Sequence, residues 1–379
     1  LSYRYDASFI DPGLNTLVAP TPIYTYGLWS WGNNSGGVLG LGNTTNYSSP
    51  KQVGALTNWS FVGTGSGNNQ AIAIKTDGTM WSWGNGGSGQ LGLGNTTSYS
   101  SPKQVGSLTN WSVVSINYTS SIAVKTDGTL WSWGNNNFGQ LGLGNTTAYS
   151  SPKQVGSLTN WLKVSSGYYH TIATKTDGTL WTWGKNHYGQ LGLNSSTYAF
   201  SSPQQVGALT NWLSVAAGIY SSLAIKTNGT LWSWGQNNQG QLGTSNVTGY
   251  SSPVQVGALT SWVIVSTGTR TSGAIKTDGT LWSWGNNANG QLGLGNTTYY
   301  SSPKQVGALT TWSKICSNNR AIAAIKTDGT LWSWGYNVQG QLGLGNTTNR
   351  SSPVQVGALT NWGNIFSPSY LGNFFALQY

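Results

Sequence analysis

The four-residue motif Trp-Ser-Trp-Gly, with Thr replacing Ser in one copy, occurs seven times in this chain, starting at Trp29, Trp81, Trp131, Trp181, Trp232, Trp282 and Trp332. The intervals are 52, 50, 50, 51, 50 and 50 residues. A second position repeats in step with it: Trp59, Trp111, Trp161, Trp212, Trp262, Trp312 and Trp362. These positions account for all 21 Trp, so each copy owns three. A unit this short cannot bury a hydrophobic face alone, so the chain has to stack its copies as a solenoid, a propeller or another array.

The copy that begins at Asn160 shows what one unit is made of. Apolar and β-branched residues come in short runs bounded by Gly, Asn, Asp, Ser and Pro, with no stretch of helical period. The runs predict four strands, at about 161–164, 171–176, 179–183 and 203–206. Asp177-Gly178 joins the second to the third and predicts a type I′ hairpin turn. The two Trp of the motif lie two residues apart, so both project from one face of the sheet and can pack on a neighbour. Four-stranded antiparallel units at this period describe a β-propeller, with a solenoid as the runner-up.

The chain ends favour the propeller. Residues 23–31 supply only the third strand of a unit, and residues 362–378 only the first two, with 374–377 in the place of 171–174. Together they complete one unit, and a closed ring leaves no open sheet edge. The expected fold is therefore all-β, a seven-bladed propeller of four-stranded antiparallel blades. It spans residues 23–379 and is closed by N- and C-terminal strands paired in one blade. Residues 1–22 lie outside the repeat and form an N-terminal extension or tether.

Chemistry has little raw material here. Charged residues make up 6% of the chain, against about 25% in an ordinary globular domain. There are seven Asp, no Glu, two His and one Cys. Asp77, Asp127, Asp177, Asp278 and Asp328 all occupy the hairpin turn, where one copy has Asn228. Asn takes the same turn geometry but cannot serve as a carboxylate, so the turn explains the position and catalysis does not. Only Asp6 and Asp11 remain, and they offer no acid/base pair for glycoside hydrolysis.

His170 and His187 share one copy, but a zinc site wants three or four ligands and no others are near in sequence. Cys316 stands where other copies have Ser or Ala and reads as a small core residue. The Gly-Leu-Gly-Asn-Thr-Thr stretches precede neither a helix nor a Lys, so they read as outer loops and not phosphate cradles. The expectation is a non-enzyme with no catalytic residues, no metal and no cofactor.

The formal charge of +10 raises a nucleic-acid partner. Ten of the seventeen cations sit at repeat-fixed positions: Lys75, Lys125, Lys175, Lys226, Lys276 and Lys326 beside the turns, and Lys51, Lys103, Lys153 and Lys304 after Pro. Spread singly round a ring, they read as solvating residues and disfavour nucleic acid, whose binders concentrate charge on one stripe. No apolar run approaches the ~20 residues of a membrane span, so membrane insertion is not expected. The chain opens at Leu1 without an initiator Met or a signal-peptide pattern, which suggests a processed product or a piece of something longer. Its uncharged surface, rich in Asn, Thr, Ser and Gly, and its sequons at Asn43, Asn95, Asn145, Asn296 and Asn346 would suit an extracellular or virion-surface setting.

The recurring Gly-Thr-Leu-Trp-Ser-Trp-Gly, the Gly-Gln-Leu-Gly-Leu-Gly that follows it, then Ser-Ser-Pro-x-Gln-Val and Val-Ser-x-Gly, resemble the regulator of chromosome condensation repeat. The resemblance covers residues 23–379 seven times over and implies the propeller fold. The function it implies is less specific. The superfamily includes the nuclear exchange factor for the small GTPase Ran, ubiquitin-ligase scaffolds and a secreted bacterial inhibitor of β-lactamases. The His that commonly opens the family's second strand is present only as His170, with Gln70, Ser120, Ser221, Thr271, Ala321 and Asn373 in its place elsewhere. The acidic and basic clusters and the basic tail expected of an exchange factor are not visible.

Two windows differ between copies. One lies between the first and second strands (67–70, 117–120, 168–170, 219–221, 269–271, 318–320 and 369–371). The other follows the Trp pair (85–88, 135–138, 185–188, 236–239, 286–289 and 336–339). Strand alternation brings both to one end of the propeller, opposite the Asp-Gly turns. That face would carry Tyr118, Phe138, Tyr168, Tyr169, His170, Lys185, His187, Tyr188, Tyr220, Arg270, Arg320, Tyr336 and Tyr370. Aromatics with scattered Arg are enriched at partner-binding surfaces. The expected function is a binding or display propeller, part of a larger assembly, that recognises protein or glycan. The alternative is a secreted enzyme inhibitor resembling the β-lactamase inhibitor propeller.

Overall fold

A computed structural model describes residues 26–65, 69–367 and 372–379. The proposed tether, residues 1–22, lies outside them. Apart from one 3-10 turn at Ser35–Gly37, the regular structure of the described residues is all strand, and it forms seven antiparallel sheets of four strands, arranged as the blades of a propeller. Blade 1 combines the ends of the chain: Gly27–Gly32 pairs on one side with Tyr47–Gln52 and on the other with Asn373–Gln378, which pairs in turn with Trp362–Phe366. Blades 2 to 7 follow in order, their first strands starting at Trp59, Trp111, Trp161, Trp212, Trp262 and Trp312. The expected ring closure is thus the observed one. A short strand, Thr64–Gly65, adds a parallel partner to the first strand of blade 3.

Within blade 4 the strands are Trp161–Ser166, His170–Lys175, Leu180–Lys185 and Ala199–Gln205. The last begins four residues before the position predicted from Pro203. Proline is tolerated there because this outermost strand has a free edge. The first strands of blades 3 to 7, and of blades 7 and 1, touch one another in succession round the axis.

The hairpin turn differs from expectation. Gly178 takes φ 76°, whereas Asp177 is not among the residues with positive φ, so the type I′ assignment is wrong. Gly178 N–H donates to the Lys175 carbonyl at 3.0 Å and Lys175 N–H to the Thr179 carbonyl at 3.1 Å, as in a turn that ends in a glycine bulge. Asp177 has another role. Its Oδ1 accepts from the Thr179 N–H at 2.9 Å and hydroxyl at 2.6 Å, and the Trp181 indole donates to that hydroxyl at 2.8 Å. Asn228 holds Thr230 and Trp232 in the same way. The turn position is structural, as the Asn substitution implied.

Each blade turns its Trp face toward the preceding blade and an aliphatic face toward the next. Trp161 and Trp183 of blade 4 pack with Ile122, Val124, Leu130 and Val155 of blade 3, while Ile172, Leu180 and Val206 meet Trp212 and Trp234 of blade 5. Each indole removes roughly 150–250 Å² from water, worth about 4–6 kcal/mol. The Trp183 indole also donates to the Gln140 carbonyl at 3.0 Å. A Cβ on Gly142 would lie 2.8 Å from that indole nitrogen, which is why the loop reads Gln-Leu-Gly.

The turn lysines are not solvating residues. Lys75, Lys125, Lys175 and Lys226 are only 7, 6, 5 and 6% exposed. The Lys175 ammonium stands 3.7 Å from the Trp181 ring centroid and 4.7 Å from that of Trp161, and the other three repeat this arrangement. Their aliphatic stems cover indole surface while the charge meets the ring faces. Burial holds these ammonium groups below the usual lysine range.

Candidate functional site

The two variable windows of each blade are joined by a backbone hydrogen bond, which brings both to one end of the propeller. Lys185 N–H donates to the Tyr169 carbonyl at 2.9 Å, Asn135 to Thr119 at 2.9 Å and Gln236 to Tyr220 at 2.8 Å. Neighbouring blades are linked by the same means, Tyr118 N–H to the Tyr168 carbonyl and Tyr168 N–H to the Ile219 carbonyl, each at 3.3 Å. The loops that carry these side chains are therefore fixed by their own main chain.

On blades 3 to 5 the aromatic side chains form a continuous ridge. Tyr118 stacks on Tyr168 with centroids 4.0 Å apart, and Tyr168 meets Tyr169 at 4.5 Å and Tyr220 at 6.0 Å. Tyr169 contacts Phe138 at 4.8 Å, and Tyr220 contacts Tyr188 at 4.9 Å. His187 lies against Tyr188 at 4.7 Å and Tyr198 at 5.8 Å, and Tyr198 returns to Phe138 at 6.0 Å. The contacts close into a circuit. Lys185 lies against it, with its ammonium 4.5 Å from the Phe138 centroid, 5.4 Å from Tyr169 and 5.5 Å from Tyr198.

Burial first, and then hydrogen bonding and proximity to Tyr118, push the Tyr168 phenol above the usual tyrosine range. Burial likewise raises Tyr169. The hydroxyls accordingly stay neutral at any physiological pH and act as hydrogen-bond donors and acceptors.

The structure brings together Tyr118, Phe138, Tyr168, Tyr169, Lys185, His187, Tyr188 and Tyr220. Arg320 and Tyr336 form a separate pair on blade 7, guanidinium to ring at 5.3 Å, and Arg270 is exposed on blade 6 between the two groups. Tyr370 lies outside the described residues.

His170 is not part of this face. It is fully buried in the second strand, with Nε2 3.0 Å from Ser222 Oγ of blade 5, and burial pushes its imidazole down to about 3. Its place at the end of a variable window misled because that last position belongs to the junction between blades, where Gln70, Ser120, Ser221 and Thr271 are buried as well. The two His consequently keep separate company, His170 with Ser222 and His187 with the exposed tyrosines. Among the described residues no group of three or more His, Cys, Asp or Glu could hold a metal ion.

Cys316 is buried where blades 3, 4 and 6 have Ser115, Ser165 and Ser266, whose hydroxyls accept a backbone N–H from the next blade at 2.9 Å. Its sulfur takes the corresponding bond from Ser367, and burial pushes the thiol up to about 12.

Sequence reasoning missed Tyr198, which is 50% exposed and touches Phe138, His187 and Lys185. The 51-residue interval that follows Trp181 was its sign, because the extra residue lies in this loop.

The regulator of chromosome condensation (RCC1) repeat matches residues 27–74, 77–124, 127–174, 177–225, 228–275, 278–324 and 328–365. The chain belongs to that family. Relatives in sequence include the mouse (Mus musculus) Protein RCC2, 39% identical over 79 residues, and the human E3 ubiquitin-protein ligase HERC2, 36% identical over 91 residues. These matches take in 21% and 24% of this chain but only 15% and 2% of the relatives' own lengths. Among solved structures, yeast RCC1 (Prp20) bound to Kap60 superposes with a TM-score of 0.83 at 19% identity, over 94% of this chain and 89% of that one. Human WBSCR16 superposes with a TM-score of 0.81 at 20% identity, over 93% and 98%. At these identities the likeness is one of fold.

Proposed function

We propose that this RCC1-type propeller is a non-catalytic recognition module that binds a protein partner through the aromatic ridge of blades 3 to 5. The observation that carries the reading is the closed circuit of rings from Phe138 through Tyr168 to Tyr198, held by main-chain bonds and braced by Lys185. Rigid tyrosines add contact area at small entropic cost and dominate binding energy where they cluster. A solved relative supports a protein partner: yeast Prp20 has one structure bound to Kap60 and another that concerns its binding to Gsp1p and histones. We further propose an extracellular or virion-surface setting within a larger assembly, supported by the sparse charge and the repeated Asn-Thr-Thr loops.

Site-specific photocrosslinking in the native source tests this, with the photoreactive residue at Tyr118 on the ridge or at Thr176 on the opposite turns. Crosslinks from position 118 to one discrete protein, and none from 176, are expected. Equal labelling from both positions, or none from either, would sink the reading. A hydrolase as the crosslinked protein would make the module an inhibitor.

A further inference from the structure

A groove of about 940 Å³ runs between the outer loops of blades 4 and 5. Its walls include His187, Tyr188 and Tyr198 from one blade and Gln236, Asn238 and Tyr250 from the other. Asp, Glu, Lys and Arg are all absent from the lining. Tyr188 and Tyr198 are 40 and 50% exposed and so present free ring surface. The side-chain amides of Gln236 and Asn238 make no hydrogen bond among the described residues and are open to a ligand. The neighbouring Asn186 and Asn237 amides are consumed by their own loops.

The two bordering loops are also those that depart from the repeat. Five copies read Leu-Gly-Leu-Gly-Asn-Thr-Thr, whereas blade 4 reads Leu-Gly-Leu-Asn-Ser-Ser-Thr-Tyr and blade 5 Leu-Gly-Thr-Ser-Asn-Val-Thr. The Gly lost in each is replaced by Asn194 at φ 49° and Ser245 at φ 63°. A side chain in the left-handed region costs energy that Gly avoids. Two such departures, both flanking one groove, mark the place where the sequence gives up its best loop residue.

Exposed flat rings suit the C–H faces of a pyranose and free amides suit its hydroxyls, while the nearest charge, the Lys185 ammonium 5.5 Å from the Tyr198 centroid, lies outside the lining and against the rings of the ridge. A charged ligand would leave its charge unpaired in this lining. We propose that the blade 4–5 groove binds a neutral oligosaccharide, stacked on Tyr188 and Tyr198 and hydrogen-bonded by Gln236 and Asn238. The groove shares His187, Tyr188 and Tyr198 with the protein-binding ridge, whereas Tyr118 at the far end of the ridge lies outside its lining.

The test titrates hexasaccharides of β-1,4-glucose, β-1,4-N-acetylglucosamine, β-1,4-xylose and α-mannose, with polygalacturonate as the charged control, into the full chain by saturation-transfer NMR and calorimetry. Saturable binding of at least one neutral series is expected. Tyr198→Ala and Val247→Arg should each weaken it by about tenfold or more, and Tyr118→Ala should leave it within about twofold. Val247 is 62% exposed, so its replacement crowds the groove without touching the core. If no neutral series saturates, if polygalacturonate binds instead, or if Val247→Arg binds as the native chain does, the assignment is overturned. Loss of ridge crosslinking with retained sugar binding would remove the protein reading alone, and the reverse would remove only this one.

Discussion

The Trp31 indole donates to the Gln341 carbonyl at 3.0 Å, a bond between residues 310 positions apart that joins the last blade to the first. The interior junctions use the same bond, Trp133 to Gln90 at 2.9 Å and Trp183 to Gln140 at 3.0 Å among them. Closure is therefore made by the same parts as every other joint. Trp31→Phe and Trp183→Phe should each cost about 1–3 kcal/mol, since the first takes the indole donor from the buried Gln341 carbonyl and the second leaves the Gln140 carbonyl only the longer bond from the Thr171 hydroxyl at 3.4 Å. Urea denaturation of the two variants would check this. A much smaller loss for Trp31→Phe would mean that the ring is not held shut at this point.

His170 predicts an acid sensitivity. Ser222 Oγ donates to the Gln190 carbonyl at 2.9 Å, so it accepts from His170, which places the imidazole proton on Nε2. The folded imidazole is pushed down to about 3, below its ordinary value of 6.5, so the unfolded chain binds the extra proton first. Stability is full above about pH 6.5 and falls below it by up to about 1.4 kcal/mol per pH unit. His170→Ser, which installs the residue of blades 3 and 5, should flatten the profile of melting temperature between pH 6.5 and 4.5. An unchanged slope would assign the acid loss to other groups.

The fold was legible because its repeat is long, regular and marked by Trp, and because the two end fragments sum to one unit. Side-chain placement was less so. Lys175 precedes Trp181 by a fixed six residues in the repeat, yet a sequence does not show whether a lysine stem lies on an indole or in water. His170 varies between copies just as the surface positions around it do, because exchange among Gln, Ser, Thr and His is tolerated at the buried junction. Of the ridge, the tyrosines could be read from the variable windows, whereas Tyr198 depended on an insertion whose direction only the folded loop reveals.

The turn position makes a prediction about chemistry that is easily mistaken for catalysis. Thr179 hydrogen bonds hold Asp177 below the ordinary carboxylate range, and Asn228 does the same structural work without a charge. Asp177→Asn should change stability by less than about 0.5 kcal/mol, and Asp177→Ala should cost about 1 kcal/mol through the lost Thr179 and Trp181 contacts. Thermal melts of both variants separate the cases. A large loss in Asp177→Asn would show that the charge itself matters.

Lys185 decides how stiff the ridge is. Every other described copy has Asn, Gln or Tyr at this position, and only here does an ammonium lie over three rings, those of Phe138, Tyr169 and Tyr198. A cation at such a partly covered site contributes about 0.5–2 kcal/mol. Lys185→Arg keeps charge and reach and should stay within about 0.5 kcal/mol of the native chain, whereas Lys185→Met keeps the stem alone and should lose about 1 kcal/mol. The Phe138 ring should then flip faster by NMR, and crosslinking from Tyr118 should weaken in proportion, because a looser ridge has more order to lose on binding. Equal stability and ring dynamics in the Lys185→Met variant would show that packing of the stem, and not its charge, holds the rings.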